Sequence, residues 1–234
     1  YRSTHYPIGN TKRNAKYVEL RMTGKFITAL CSALSASIVF VAAAEAAECP
    51  RKDALGTSRI LAVDAATSPR VGSKSFPQTL PLEDREVVLT FDDGPWPGTT
   101  PKVLAALAHE CVRATFFLIG KPAAARPDMV RALAAQGHTV GHHTWTHHNL
   151  KYMKPDAATG EIDKGIGAVE TALHGRATTT PSTPFFRFPF FDMTPATLED
   201  LQRRRIVVFG ADLWASDWQP MTPAQQLKLL TERL

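Results

Sequence analysis

Residues 86–91 (EVVLTF) are β-branched and aromatic, the composition of a strand buried on both faces. Similar short apolar runs recur at 113–119 (RATFFLI), 138–140, 185–188 and 206–211 (IVVFGA). Each is followed by a segment of helical period. Thr100 and Pro101 open a helix to about His109, and 127–136 predicts a second, stopped by Gly137. A longer helix covers 156–173, its interior loosened by Gly160, Gly165 and Gly167. Thr194-Pro195 and Thr222-Pro223 open two more. Strand then helix, five times, predicts parallel βα units, which place chemistry at the C-terminal ends of the strands. The count alone does not separate an open doubly wound sheet from a barrel.

The first 84 residues lack this pattern. An apolar run from Phe26 to Ala44 follows Lys25 and leads into a small-residue stretch containing Ala44-Glu45-Ala46. That order predicts a secretory signal peptide over 22–46, cleaved at Ala44-Glu45-Ala46, with 1–21 an upstream extension before Met22. A membrane anchor is the alternative, though the Ser- and Ala-rich middle is only weakly apolar. Residues 47–84 read as an arm or linker with a short strand at 59–63. The main domain is 85–234.

Charge and cysteine content sharpen the picture. The net charge of +5 suggests nucleic acid, but 1–21 carries five Lys/Arg against one Glu. Residues 47–234 hold 21 basic and 20 acidic side chains, so the expected mature chain is near neutral and no nucleic-acid partner is expected. Nothing marks an obligate protein partner. With 44% hydrophobic residues the chain has enough apolar content for one ordinary core. Cys31 falls in the signal segment, leaving Cys49 and Cys111. These can pair in an oxidising compartment, but nothing in the sequence sets their separation.

Three predicted strand ends carry polar clusters. Asp92-Asp93-Gly94-Pro95 follows the first strand, 141–148 (GHHTWTHH) follows the third, and Asp212 and Asp217-Trp218 follow the last. Adjacent carboxylates repel, and a divalent cation on one relieves them. His143 and His147 are four apart, so one helical turn would put both imidazoles on one side. Asp93 with His143 and His147 makes a three-ligand set with a position open, the pattern of a catalytic zinc-type site. Asp92 is then free as a base. A plain turn at Asp92–Pro95 or a surface histidine run are the bland alternatives. His142 and His148 read as supporting or solvated groups, His138 as structural, and His109 and His174 as surface residues.

Residues 90–95 (TFDDGP) and 143–147 (HTWTH) resemble the first two motifs of the polysaccharide deacetylases, the NodB-homology domain of carbohydrate esterase family 4. Residues 113–120 resemble that family's second strand, Arg187-Phe188-Pro189 its third motif and Asp217-Trp218 the end of its fourth. The resemblance covers about 86–220. It implies a (β/α) barrel-like fold with Asp92 as base and Asp93, His143 and His147 on the metal. Arg187 would orient the base, and Asp217 would join the catalytic set. Pro189, Phe190, Trp218 and Trp145 would line the substrate groove. Phe190-Phe191-Asp192 stand where the family has a glycine or Tyr-Gly, and Trp214 stands where it has an aspartate, Asp212 being two residues early. The fifth motif, a Leu-x-x-His strand end that supplies the general acid, has no counterpart, since no His follows His174. The chain is therefore expected to be a fragment, lacking the last βα units and turning over weakly.

The implied activity is metal-dependent removal of N-acetyl groups from a GlcNAc-containing glycan, in the periplasm or outside the cell. Zinc is the first choice of ion and cobalt an alternative. Aromatic residues at the strand ends (Trp145, Trp214, Trp218) favour sugar faces. The competing readings are a glycan- or metal-binding module without catalysis and a related amidohydrolase acting on small cyclic amides.

Overall fold

The computed structural model describes Cys49 and residues 51–234. The expected upstream extension and signal peptide lie outside the described residues. No helix among the described residues is long and apolar enough to cross a membrane.

Six parallel strands form one sheet in the order β1-β6-β5-β4-β3-β2. They are β1 (Arg70–Val71), β2 (Thr90–Asp92), β3 (Thr115–Leu118), β4 (Thr139–His142), β5 (Phe185–Phe186) and β6 (Val207–Phe209). The helices are α1 (Thr100–His109), α2 (Gly120–Ala125), α3 (Pro127–Ala135), α4 (Pro155–His174), α5 (Pro195–Arg203) and α6 (Pro223–Arg233). From β2 to β6 the strands add in chain order, as right-handed βα units do. β1 then joins at the far side of β6, pairing Arg70 with Val208 and Val71 with Phe209. The result is the barrel-like βα fold, with β1 and β2 as its two edges.

Most elements fall where the pattern puts them. Gly137 ends α3 in the left-handed region at φ 81°. Thr194 and Thr222 cap α5 and α6 with capping boxes. Several expectations need correction. The arm has no strand at 59–63; its strand is β1, because Val71 finds an open edge on β6 while 59–63 does not. β2 starts at Thr90, and Val87, Val88 and Leu89 are exposed, since β2 is an edge strand rather than one covered on both faces. Thr99, not Thr100, is the N-cap of α1; the Thr100 hydroxyl accepts instead from the Trp96 N–H at 2.8 Å. Gly120 opens α2, with Ile119 as the N-cap.

Gly165 does not loosen α4. A Cβ there would lie 2.4 Å from the Thr144 carbonyl carbon, so this glycine lets the helix touch the loop after β4. The arm is tied down at its start by a Cys49–Cys111 disulfide. Apolar side chains from both faces of the sheet form the core, with Phe117, Phe186, Leu133, Ile162 and Leu201 fully buried.

Candidate metal centre and catalytic site

Asp92 ends β2, and Asp93 follows with φ 71°. A left-handed residue redirects the chain, and aspartate tolerates it better than most. The two neighbouring carboxylates therefore diverge. Asp92 Oδ1 accepts a 2.8 Å bond from Arg187, while Asp93 Oδ1 lies 3.4 Å from His143 Nε2 and 3.2 Å from His147 Nε2. Mutual repulsion is relieved on one side by a guanidinium and on the other by two imidazoles.

The histidines do not share a helical turn, contrary to the expectation from their spacing. His143 leaves the end of β4 directly, and the following loop is bent by left-handed Thr144 and His147, at φ 65° and 63°. The bends carry the His147 ring back to 4.9 Å from that of His143. Hydrogen bonds hold the loop in this shape. The Thr144 hydroxyl accepts from the His147 N–H at 3.1 Å, and Glu161 on α4 accepts from the Thr146 N–H and hydroxyl at 2.9 and 2.8 Å. Glu161 and Thr144 carry no sequence signal for this role; only the packing of α4 on the loop reveals it.

His143 Nδ1 lies 2.7 Å from the Arg187 carbonyl oxygen, so Nδ1 donates there and Nε2 is the ring nitrogen turned towards Asp93. One atom from each of Asp93, His143 and His147 lies within 4.8 Å of the others. Ligands about 2.1 Å from a tetrahedral ion stand about 3.4 Å apart, so the observed spacings fit a divalent cation. His143 holds the Asp93 carboxyl below the usual carboxylate range, and burial pushes the His147 imidazole down. Both shifts favour the deprotonated forms that ligate metals.

Arg187 is buried, and its charge is fully engaged. Its donors reach Asp92 Oδ1 at 2.8 Å, the Thr90 hydroxyl at 2.8 Å, the Phe209 carbonyl at 3.3 Å and the Gly210 carbonyl at 2.7 Å. The Phe117 ring lies 4.4 Å from its guanidinium carbon.

The expected groove residues divide. Pro189 is buried at the base of a turn, and Phe190, left-handed at φ 58°, exposes its ring 4.8 Å from that of His147. Phe191 stacks on Trp214 at 5.7 Å, and Trp218 stands 6.4 Å from Trp214, largely exposed. Trp145 is not with them. It packs beside Gly120 of α2, under Lys164 of α4 at 4.2 Å, because the left-handed bend at Thr144 turns it towards the helices. Asp217 is exposed on the loop after β6 and makes no hydrogen bond or ion pair with the described residues at the site. Asp212 accepts from the Ser73 N–H and the Thr79 hydroxyl, tying the arm to the β6 end. A cleft beside Asp93 and His147 is lined by Trp96, Lys121 and Thr146, none of which the sequence singled out.

The other histidines are outside the Asp93–His143–His147 cluster. His142 is fully buried, and burial pulls its pKa down to about 3. His148 contacts the Thr146 hydroxyl, His138 is buried against Phe116, and His109 and His174 are largely exposed.

Residues 79–207 match the model of the polysaccharide deacetylase family. The chain belongs to that family. It is 34% identical to the peptidoglycan-N-acetylglucosamine deacetylase of Bacillus cereus over 139 residues, 59% of this chain and 48% of that protein. It is 43% identical to the chitooligosaccharide deacetylase of Rhizobium leguminosarum bv. trifolii over 90 residues, 38% of this chain and 42% of that one. The chain thus spans less than half the length of these two curated relatives. Among solved structures, a peptidoglycan N-acetylglucosamine deacetylase superposes with a TM-score of 0.63 at 27% identity, covering 73% of this chain and 74% of that one. The chitin deacetylase of Colletotrichum lindemuthianum superposes with a TM-score of 0.53 at 28% identity, covering 62% and 63%.

Proposed function

We propose that this polysaccharide deacetylase hydrolyses the N-acetyl amide of a GlcNAc-containing glycan, with a divalent cation, zinc first, held by Asp93, His143 and His147. The divergence of Asp92 and Asp93 carries the reading: one carboxylate joins the imidazoles and the other stays with Arg187. A cation bound there would polarise the acetyl carbonyl and lower the pKa of a water beside it, to about 7 in comparable zinc sites.

Asp92 takes the proton of the water that attacks the acetyl carbon. Arg187 holds the base in place. The Phe191 and Asp192 amides are spent within their own turn, on the Phe188 and Pro189 carbonyls. We therefore assign the Phe190 N–H as the backbone donor to the oxyanion. Pyranose faces would stack on Phe190 and on the Trp214–Trp218 pair. The amide C–N bond then breaks and the leaving nitrogen gains a proton, which in the family pattern comes from a fifth-motif histidine. A glycan substrate and the Cys49–Cys111 disulfide both suit an exported protein.

Acetate release from acetylated chitooligosaccharides and from peptidoglycan strands, with Zn²⁺ or with chelator, tests the reading. Asp92→Asn should reduce release by about 10²-fold or more while glycan binding persists. Release that survives both chelator and Asp92→Asn would overturn it.

A further inference from the structure

We propose that the N-terminal arm is a positioning element for Asp92, acting through Gly210 and Arg187. The inference rests on the reading of Asp92 as the base. Gly210 is the joint: its N–H donates to the Val71 carbonyl at 2.7 Å, and its own carbonyl accepts from Arg187 at 2.7 Å. The same guanidinium donates to Asp92 at 2.8 Å. Three bonds thus lead from the arm to the base.

The arm holds the whole β6 end from outside. Val208 N–H donates to Pro69, Lys74 N–H donates to Ala211, and Asp212 accepts from Ser73 and Thr79. The backbones are in contact with no space between them. A Cβ on Gly72 would lie 2.6 Å from the Ala211 nitrogen, and one on Gly210 would lie 2.9 Å from the Ser75 Cβ and Oγ. Without β1, β6 would be the sheet edge, and the carbonyls that anchor Arg187 would sit on an unpaired strand end. Val71 and Gly210 both lie outside the 79–207 family match.

The test uses Gly210→Ala, Ser75→Gly and the double variant in the full chain. Exchange of the Arg187 Nη2–H that donates to the Gly210 carbonyl reads the tether directly by NMR, and kcat, KM and Tm are measured alongside. Gly210→Ala should speed that exchange by about tenfold or more and lower kcat by about 10–100-fold with KM little changed, as small misplacements do. Ser75→Gly alone should leave both at the parental values, and the double variant should recover most of the loss. A merely structural role would lower Tm and leave Arg187 exchange and kcat alone, which would overturn the proposal. If Gly210→Ala does not fold, Thr79→Val loosens the same clasp, and unchanged Arg187 exchange there would also overturn it. If Arg187 exchange responds but Asp92→Asn turns over like the parent, the arm–arginine linkage stands and the assignment of the base fails.

Discussion

Arg187 and His143 are joined through the arginine backbone: the imidazole Nδ1 lies 2.7 Å from the Arg187 carbonyl oxygen. The side chain of the same residue bonds Asp92 at 2.8 Å. One residue after β5 therefore orients a candidate metal ligand with its main chain and the candidate base with its side chain.

Replacing Arg187 separates those roles. Arg187→Met keeps the backbone bond to His143 but leaves Asp92 and two carbonyls without their donor. Loss of one partner from a buried charged network costs about 3–5 kcal/mol, and Asp92 is partly exposed, so the lower end is expected. Urea denaturation measures this. Zinc affinity by calorimetry should change far less than stability; a parallel collapse of both would show that the side chain, not the carbonyl, supports His143.

Glu161 supports the candidate metal centre from α4 by holding the loop that carries His147. Glu161→Ala releases the Thr146 N–H and hydroxyl, and with them the bend that returns His147 to His143. Zinc affinity should fall by about 10–100-fold, as for other supporting groups, and far less than for His147→Ala. Equal losses from the two variants would place Glu161 in the ligand set.

Two glycines of α4 should respond in opposite directions. Gly160 has nothing within 4 Å of an added Cβ, so Gly160→Ala should stabilise by about 0.5–1 kcal/mol through helix propensity. At Gly165 the Cβ would meet the Thr144 backbone at 2.4 Å, and Gly165→Ala should destabilise by about 1–3 kcal/mol. Thermal melts decide, and stabilisation by Gly165→Ala would show that the helix has slack against the loop.

His138 gives a pH prediction. Its Nδ1 accepts from the Ala114 N–H at 3.2 Å, and burial, followed by the Arg113 charge, lowers its pKa from 6.5. The unfolded state then binds the proton more readily, so this contribution to stability is whole above about pH 6.5 and is lost as pH falls towards the folded value. His138→Asn keeps an acceptor and removes the titration. Its stability should fall less steeply than the parent's between pH 7 and 5 in denaturant titrations; identical slopes would remove His138 from the acid response.

Local chemistry was legible in the residues alone. The apolar runs located β3, β4 and β6 to within a few residues, Gly137 and the Thr-Pro pairs marked helix ends, and the Asp-Asp and His-x3-His clusters contained the three candidate ligands that the fold brings together. These signals survive because strand composition, caps and donor types act over a few bonds. Packing decided what depends on distant segments. Two left-handed bends, not a helical turn, bring His147 to His143, and the same bends send Trp145 to the helices. The arm reads as a linker because its strand has two residues, yet β6 leaves an edge only that segment fills. Arg187 joins the arm, the candidate base and a candidate ligand because its acceptors come from β2 and the end of β6, strands that only the folded sheet brings within reach of one guanidinium.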